Sequence, residues 1–106
     1  MNAMFRNAVS FNQDLSGWDT STLNEMRWMF EGASAFNQPL TTWNTSNVEN
    51  MFAMFHDAVS FNEDLSGWDT SNVRGMSYMF KGASAFNQPL LSWNTSNVLT
   101  MRGMFW

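Results

Sequence analysis

The chain repeats every 25 residues, and the phase never slips. Met-Phe stands at 4–5, 29–30, 54–55, 79–80 and 104–105, and Phe-Asn at 11–12, 36–37, 61–62 and 86–87. Leu15, Leu40, Leu65 and Leu90 follow, then Trp18, Trp43, Trp68 and Trp93, then Thr-Ser at 20–21, 45–46, 70–71 and 95–96. Leu23, Val48, Val73 and Val98 precede Met26, Met51, Met76 and Met101. Self-similarity at such a period marks an array of stacked units. A single unit offers about eight apolar side chains worth roughly 1.5–3 kcal/mol each. Its 25 residues lose roughly 1–2 kcal/mol apiece in backbone entropy. One unit alone is therefore unfolded, whereas piling units so that like residues meet builds a continuous core. The expectation is one array over residues 1–106, with repeats near 4–28, 29–53, 54–78 and 79–103. Its core columns are the Met, Phe, Leu and Trp positions.

The repeat also alternates. Between residues 1–50 and 51–100, 15 of 50 positions differ, leaving 35 identities, and odd units carry Asp14 and Asp64 where even units carry Pro39 and Pro89. A duplicated pair of units is the simplest history.

Within a unit, the segment from Asp14 to Trp18 is short, bounded by Asn-rich sequence, and holds Leu and Trp as inward anchors, which predicts a short strand. Pro39 and Pro89 lack an N–H, so backbone pairing should be interrupted at that column. After Thr20-Ser21 the apolar spacing becomes 23, 26, 29, 30 and 33, the period of one helical face, which predicts a short helix or 3₁₀ segment. Ser21, Ser46, Ser71 and Ser96 stand where an N-cap would, with Glu49 completing a capping box for Ser46. Gly32 and Gly82 suit a left-handed terminating residue; Asn7 and Asp57 hold the same column and suit it less well. The fold class is thus an α/β repeat solenoid of about four coils, each with one short strand and one short helix or 3₁₀ segment. A β-helix-type solenoid is the alternative.

Composition narrows function. Five cations, Arg6, Arg27, Arg74, Lys81 and Arg102, are scattered among nine acids, which argues against a nucleic-acid surface. No apolar run approaches the roughly 20 residues of a membrane span. There is no cysteine, hence no disulfide or thiolate zinc site. No signal peptide is visible in Met1 to Arg6. Met1 shares the column of Met26 and Trp106 interrupts a unit, so the chain is expected to be a fragment of a longer array or a piece covered by neighbours in an assembly.

The stretch from Met54 to Met76, Met-Phe-x-x-Ala-x-x-Phe-Asn-x-Asp-Leu-Ser-Gly-Trp-Asp-Thr-Ser-Asn-Val-x-x-Met, resembles the repeat of BspA-like leucine-rich-repeat surface proteins. The likeness spans essentially the whole chain. It departs at Leu23 for Val, Thr22 for Asn, and proline for Asp in alternate units. The resemblance implies a leucine-rich-repeat-like solenoid in secreted or cell-surface proteins, with adhesion, display or scaffolding as the role. Repeat families are weakly specific for function.

Each candidate site has a plainer role beside it. The Asn column, 12, 37, 62 and 87, reads better as inward residues satisfying turn backbone from coil to coil than as a binding ladder. The Met and Trp columns read as core rather than as soft-metal ligands or stacking platforms. Asp14, Asp19, Asp64 and Asp69, with Glu63, form the acidic edge; oxygen ligands there could hold Ca²⁺, but local Asx turns explain them more simply. Asn44 and Asn94 fit the N-glycosylation sequon, yet every unit needs this turn column. The Thr column could resemble an ice-binding ladder, against a plain capping role. His56, the only imidazole, lies in a column reading Arg6, Glu31, His56, Lys81, a varied polar set that argues for exposure and a surface pair with Glu31 rather than for catalysis. No phosphate-binding loop is present and no cofactor or metal is expected.

The columns that change most hold Asn24, Glu25, Arg27 and Trp28, then Glu49, Asn50, Phe52 and Ala53, then Arg74, Gly75, Ser77 and Tyr78, then Leu99, Thr100, Arg102 and Gly103. Core columns cannot vary so freely. Trp28, Phe52 and Tyr78, beside Arg27 and Arg102, are therefore the candidate contact residues for a protein partner or for neighbouring repeats. The functional expectation is a non-enzymatic structural or protein-binding module of a larger cell-surface or secreted protein. The alternatives are a calcium- or glycan-binding adhesin segment using the acidic edge, and a structural subunit embedded in a large complex.

Overall fold

The computed structural model describes residues 2–105; the pattern's two ends, Met1 and Trp106, lie outside them. Successive 25-residue laps lie one above another. We number them lap 1 (4–28), lap 2 (29–53), lap 3 (54–78) and lap 4 (79–103). Phe36 stacks on Phe11 and on Phe61 with ring centroids 5.8 and 5.9 Å apart. A second phenyl column runs Phe5, Phe30, Phe55, Phe80, Phe105 at 5.5–5.6 Å. Within each lap the two columns meet, as at Phe55 and Phe61, 4.1 Å apart and nearly parallel. Met26, Met29, Met51, Met54, Met76 and Met79 are fully buried in the same core, with Leu40, Leu65, Val48 and Val73. Thioethers follow an irregular gap more easily than a branched side chain does, which suits them to a core of stacked rings.

The local structure differs from the expected strand and helix. Among the described residues there is no helix and no extended strand, only isolated parallel bridges linking Glu25, Asn50, Gly75 and Thr100. Each lap is instead a series of tight turns closed by i to i+3 hydrogen bonds. In lap 3 the N–H groups of His56, Ala58, Phe61, Trp68 and Val73 donate to the carbonyls of Ala53, Phe55, Ala58, Leu65 and Thr70. Serial turns recur about every three residues, so their inward side chains carry nearly the spacing of a helical face. That is why columns 23, 26, 29, 30 and 33 resembled a helix. The Asp14–Trp18 segment is likewise a turn, with Trp18 N–H donating to the Leu15 carbonyl at 3.1 Å.

Backbone groups not used within a lap point along the stack. The N–H groups of Met26, Trp28, Phe30 and Gly32 donate to the carbonyls of Asn50, Phe52, Met54 and His56 at 2.8–3.0 Å, a ladder that recurs in the next lap. Alternate amides can face the neighbouring lap only if the chain passes through the left-handed region. It does so at Ala3, Trp28, Ala53 and Tyr78 (φ 52–58°) and four residues on at Asn7, Gly32, Asp57 and Gly82 (φ 57–72°). Gly32 and Gly82 therefore end no helix. A Cβ on Gly32 would strike the Asn7 side chain, and one on Gly82 the Asp57 side chain. The alternation of Asn or Asp with Gly follows: one lap's side chain fills the space left by the next lap's missing Cβ. Around Pro39 and Pro89, and equally around Asp64, the laps are joined by side chains.

Candidate protein-interaction surface

The conserved-in-phase polar columns are spent on the frame. Trp43, Trp68 and Trp93 are buried, and their indole N–H groups donate to the carbonyls of Leu15, Leu40 and Leu65 at 2.9–3.0 Å. Thr20, Thr45 and Thr70 are buried too, each hydroxyl donating across laps to the carbonyl of Asn44, Asp69 or Asn94 at 3.0–3.1 Å. They form no outward ladder. The Asn column does work from lap to lap, with Oδ1 of Asn12, Asn37 and Asn62 accepting from the N–H of Asn37, Asn62 and Asn87 at 2.8–3.0 Å. These asparagines are exposed rather than inward, a correction to the sequence reading.

The acidic edge resolves into Asx turns. Oδ1 of Asp19 and Asp69 accepts from the backbone N–H and the hydroxyl of Ser21 and Ser71, the latter at 2.6 Å. Asn44 makes the same two bonds with Ser46. The Asn94 Oδ1 accepts from the Ser96 N–H at 3.0 Å. Asp14 and Asp64 accept from the N–H of Ser16 and Ser66 at 2.8 Å. These serines cap no helix; they close turns, and the shared carbonyl-type oxygen explains the Asp/Asn alternation. The bonds favour the ionised carboxylate. The backbone and then the hydroxyl of Ser16 hold Asp14 below the usual carboxylate range. Asp19, Asp64 and Asp69 are lowered by the hydroxyl and then the backbone N–H of Ser21, Ser66 and Ser71. Among the described residues no group of three histidine, aspartate or glutamate side chains is arranged to hold a metal ion.

On the other side of the lap the variable columns come together. Trp28, Phe52 and Tyr78 form a half-buried strip over three laps, Trp28 meeting Phe52 at 5.7 Å and 82°, and Phe52 meeting Tyr78 at 5.6 Å and 86°. Such edge-to-face pairs add roughly 0.5–1.5 kcal/mol beyond burial. Arg27 and Arg6 lie over the Trp28 ring at 5.2 and 5.5 Å, and Lys81 over the Tyr78 ring at 5.4 Å. Arg102 joins through its backbone, its carbonyl accepting from the Tyr78 N–H at 2.8 Å. Between the rings, over buried Ala53, runs a groove of about 220 Å³ bordered by Glu31, His56 and Lys81. It exists because column 28, 53, 78 reads large, small, large.

A row of polar side chains flanks the groove. Arg6 Nε lies 2.7 Å from Glu31, whose other oxygen is 3.3 Å from His56 Nδ1, and His56 Nε2 is 3.4 Å from Asp57. The Glu31–His56 pair is the one expected from the column. Sequence reading missed Ala53 and Lys81 as lining residues; the signal was the alternation of size in one column and of charge in the other. Arg6, Arg27 and Lys81 stand at the rings of the strip, whereas Arg74 borders a separate pocket with Glu49, Asn72, Asn97 and Leu99.

The family model described as "Mycoplasma protein of unknown function, DUF285" matches residues 1–106, and the chain belongs to that family. No curated protein and no solved structure matches the chain. No helix among the described residues is long and apolar enough to cross a membrane.

Proposed function

We propose that the chain is a non-enzymatic repeat scaffold, a leucine-rich-repeat-like solenoid segment of the BspA-like type, which presents a variable strip to a protein partner on a secreted or cell-surface protein. The observation carrying this reading is the Trp28–Phe52–Tyr78 strip. Frame positions of the inner laps are buried or hydrogen-bonded to a neighbour, and the most variable columns bring Trp28, Phe52 and Tyr78 together. Two large aromatics are held there at positive φ, 56° and 58°, where a β-carbon costs roughly 1–2 kcal/mol. Aromatics flanked by arginine are the residue types that dominate binding hot spots.

The test separates display from frame. W28S/F52S/Y78S should keep the circular dichroism spectrum and cooperative melting of the parent. Beads coated with it should lose most of the adherence to cultured host cells that the parent shows. Equal adherence of a folded triple variant removes the strip from the proposal.

A further inference from the structure

We propose that the cooperative unit of this protein is a pair of laps, and that the boundary between lap 2 and lap 3 is a built-in seam where the stack opens first. Two of the exposed ties between laps alternate, while the Asn47, Asn72 and Asn97 amides, which donate to the carbonyls of Ser21, Ser46 and Ser71, recur at every boundary. Lap 2 is tied to lap 1 by Gln38 Nε2, which donates to the carbonyl and the Oδ1 of Asn12, both at 3.1 Å, and by Thr42 Oγ1, which donates to the Ser16 carbonyl at 2.8 Å. Lap 4 is tied to lap 3 in the same way, by Gln88 to Asn62 at 3.2 and 3.1 Å and by Ser92 to the Ser66 carbonyl at 2.7 Å. The corresponding residues of lap 3 are Glu63 and Gly67. A carboxylate side chain has no amide N–H to offer, and glycine has no hydroxyl, so neither can replace the Gln38 and Thr42 donors toward Asn37 and the Thr41 carbonyl. The fit of Asn7 against Gly32 and of Asp57 against Gly82 has the same pairing. What crosses the seam is common to every boundary, the backbone ladder and the Asn, Thr and Trp bonds, together with the Glu31–His56 pair. The Phe52–Tyr78 ring contact crosses it as well, so opening the seam divides the display strip.

Hydrogen exchange on the intact chain, read residue by residue by NMR, tests this. The amides of Phe30, Gly32, Met51 and Ala53 bond across the seam in the middle of the stack, where fraying from both ends would leave them the slowest. The seam makes them exchange no more slowly than Met26 and Trp28 on one side and Met76 and Tyr78 on the other. E63Q/G67T supplies the missing donors, and Gly67 has open space around a new Cβ. It should slow the four seam amides about tenfold, the scale of three weak exposed hydrogen bonds, and the flanking amides by much less. Q38E/T42G should create a second seam, speeding exchange at Met26 and Trp28. Seam amides that are the slowest in the parent, or variants that change all amides equally or none, overturn the proposal.

Discussion

Single residues here are chosen for what lies one lap away. Gly32 must adopt positive φ and must also leave room for Asn7, so Gly32→Ala should cost about 1–3 kcal/mol in urea unfolding, from left-handed strain and overpacking together. The double variant N7G/G32A should recover the overpacking part but not the strain. The Asx-turn carboxylates carry a pH signature. Their folded pKa values lie below the unfolded ones, so their stabilisation is present above the unfolded value near 4 and is lost as pH falls through the folded value. Replacing Asp14, Asp19, Asp64 and Asp69 together by Asn keeps the turn oxygen and removes the titration. Melting temperature followed from pH 5 to pH 2 should then fall less steeply than in the parent.

At the scale of the element, the working part is a column of like residues rather than a helix or strand. Stacked tryptophans 6.4–6.5 Å apart serve both core and backbone, since each indole N–H reaches a carbonyl 28 residues earlier. Trp68→Phe keeps a ring in the column and strands the Leu40 carbonyl, which should cost about 1–3 kcal/mol by chemical denaturation. The columns themselves were legible in the sequence, because strict phase survives only where identical environments recur. The turns that carry them were not. A run of i to i+3 turns and a helix place apolar residues at nearly the same intervals, and they differ in the sign of φ at Trp28, Ala53 and Tyr78, which no side chain there announces. Asn7 and Asp57 beside Gly32 and Gly82 did announce it, as residues tolerant of positive φ, but the spacing argument assigned them to a helix end.

For the whole molecule, alternation should matter as much as the number of laps. Deleting residues 4–28 or residues 29–53 leaves three laps in either case. The second deletion, however, sets Asn7 directly against Asp57, both with side chains where one lap should offer glycine. The 29–53 deletion should therefore unfold at lower urea concentration than the 4–28 deletion. Equal midpoints would show that laps pack independently of parity. The candidate surface follows the same logic: Trp28, Phe52 and Tyr78 stand out in the sequence because their columns vary, yet they occupy two different columns, and that their rings meet edge to face across neighbouring laps is visible only in the structure.

Sequence alone determined the 25-residue register, the core columns and the columns in which variation is tolerated, because a stacked array imposes a recurring environment on the core phases and constrains the phases along the aromatic strip less, even where a residue such as Ala53 is buried. Tertiary structure decided the rest. Handedness at each turn, the outward position of the Asn column, the burial of the threonines and the groove over Ala53 all depend on where the adjacent lap places its donors, acceptors and side chains. That information lies 25 residues away in the chain and about 5.6 Å away in space, beyond the reach of any local pattern.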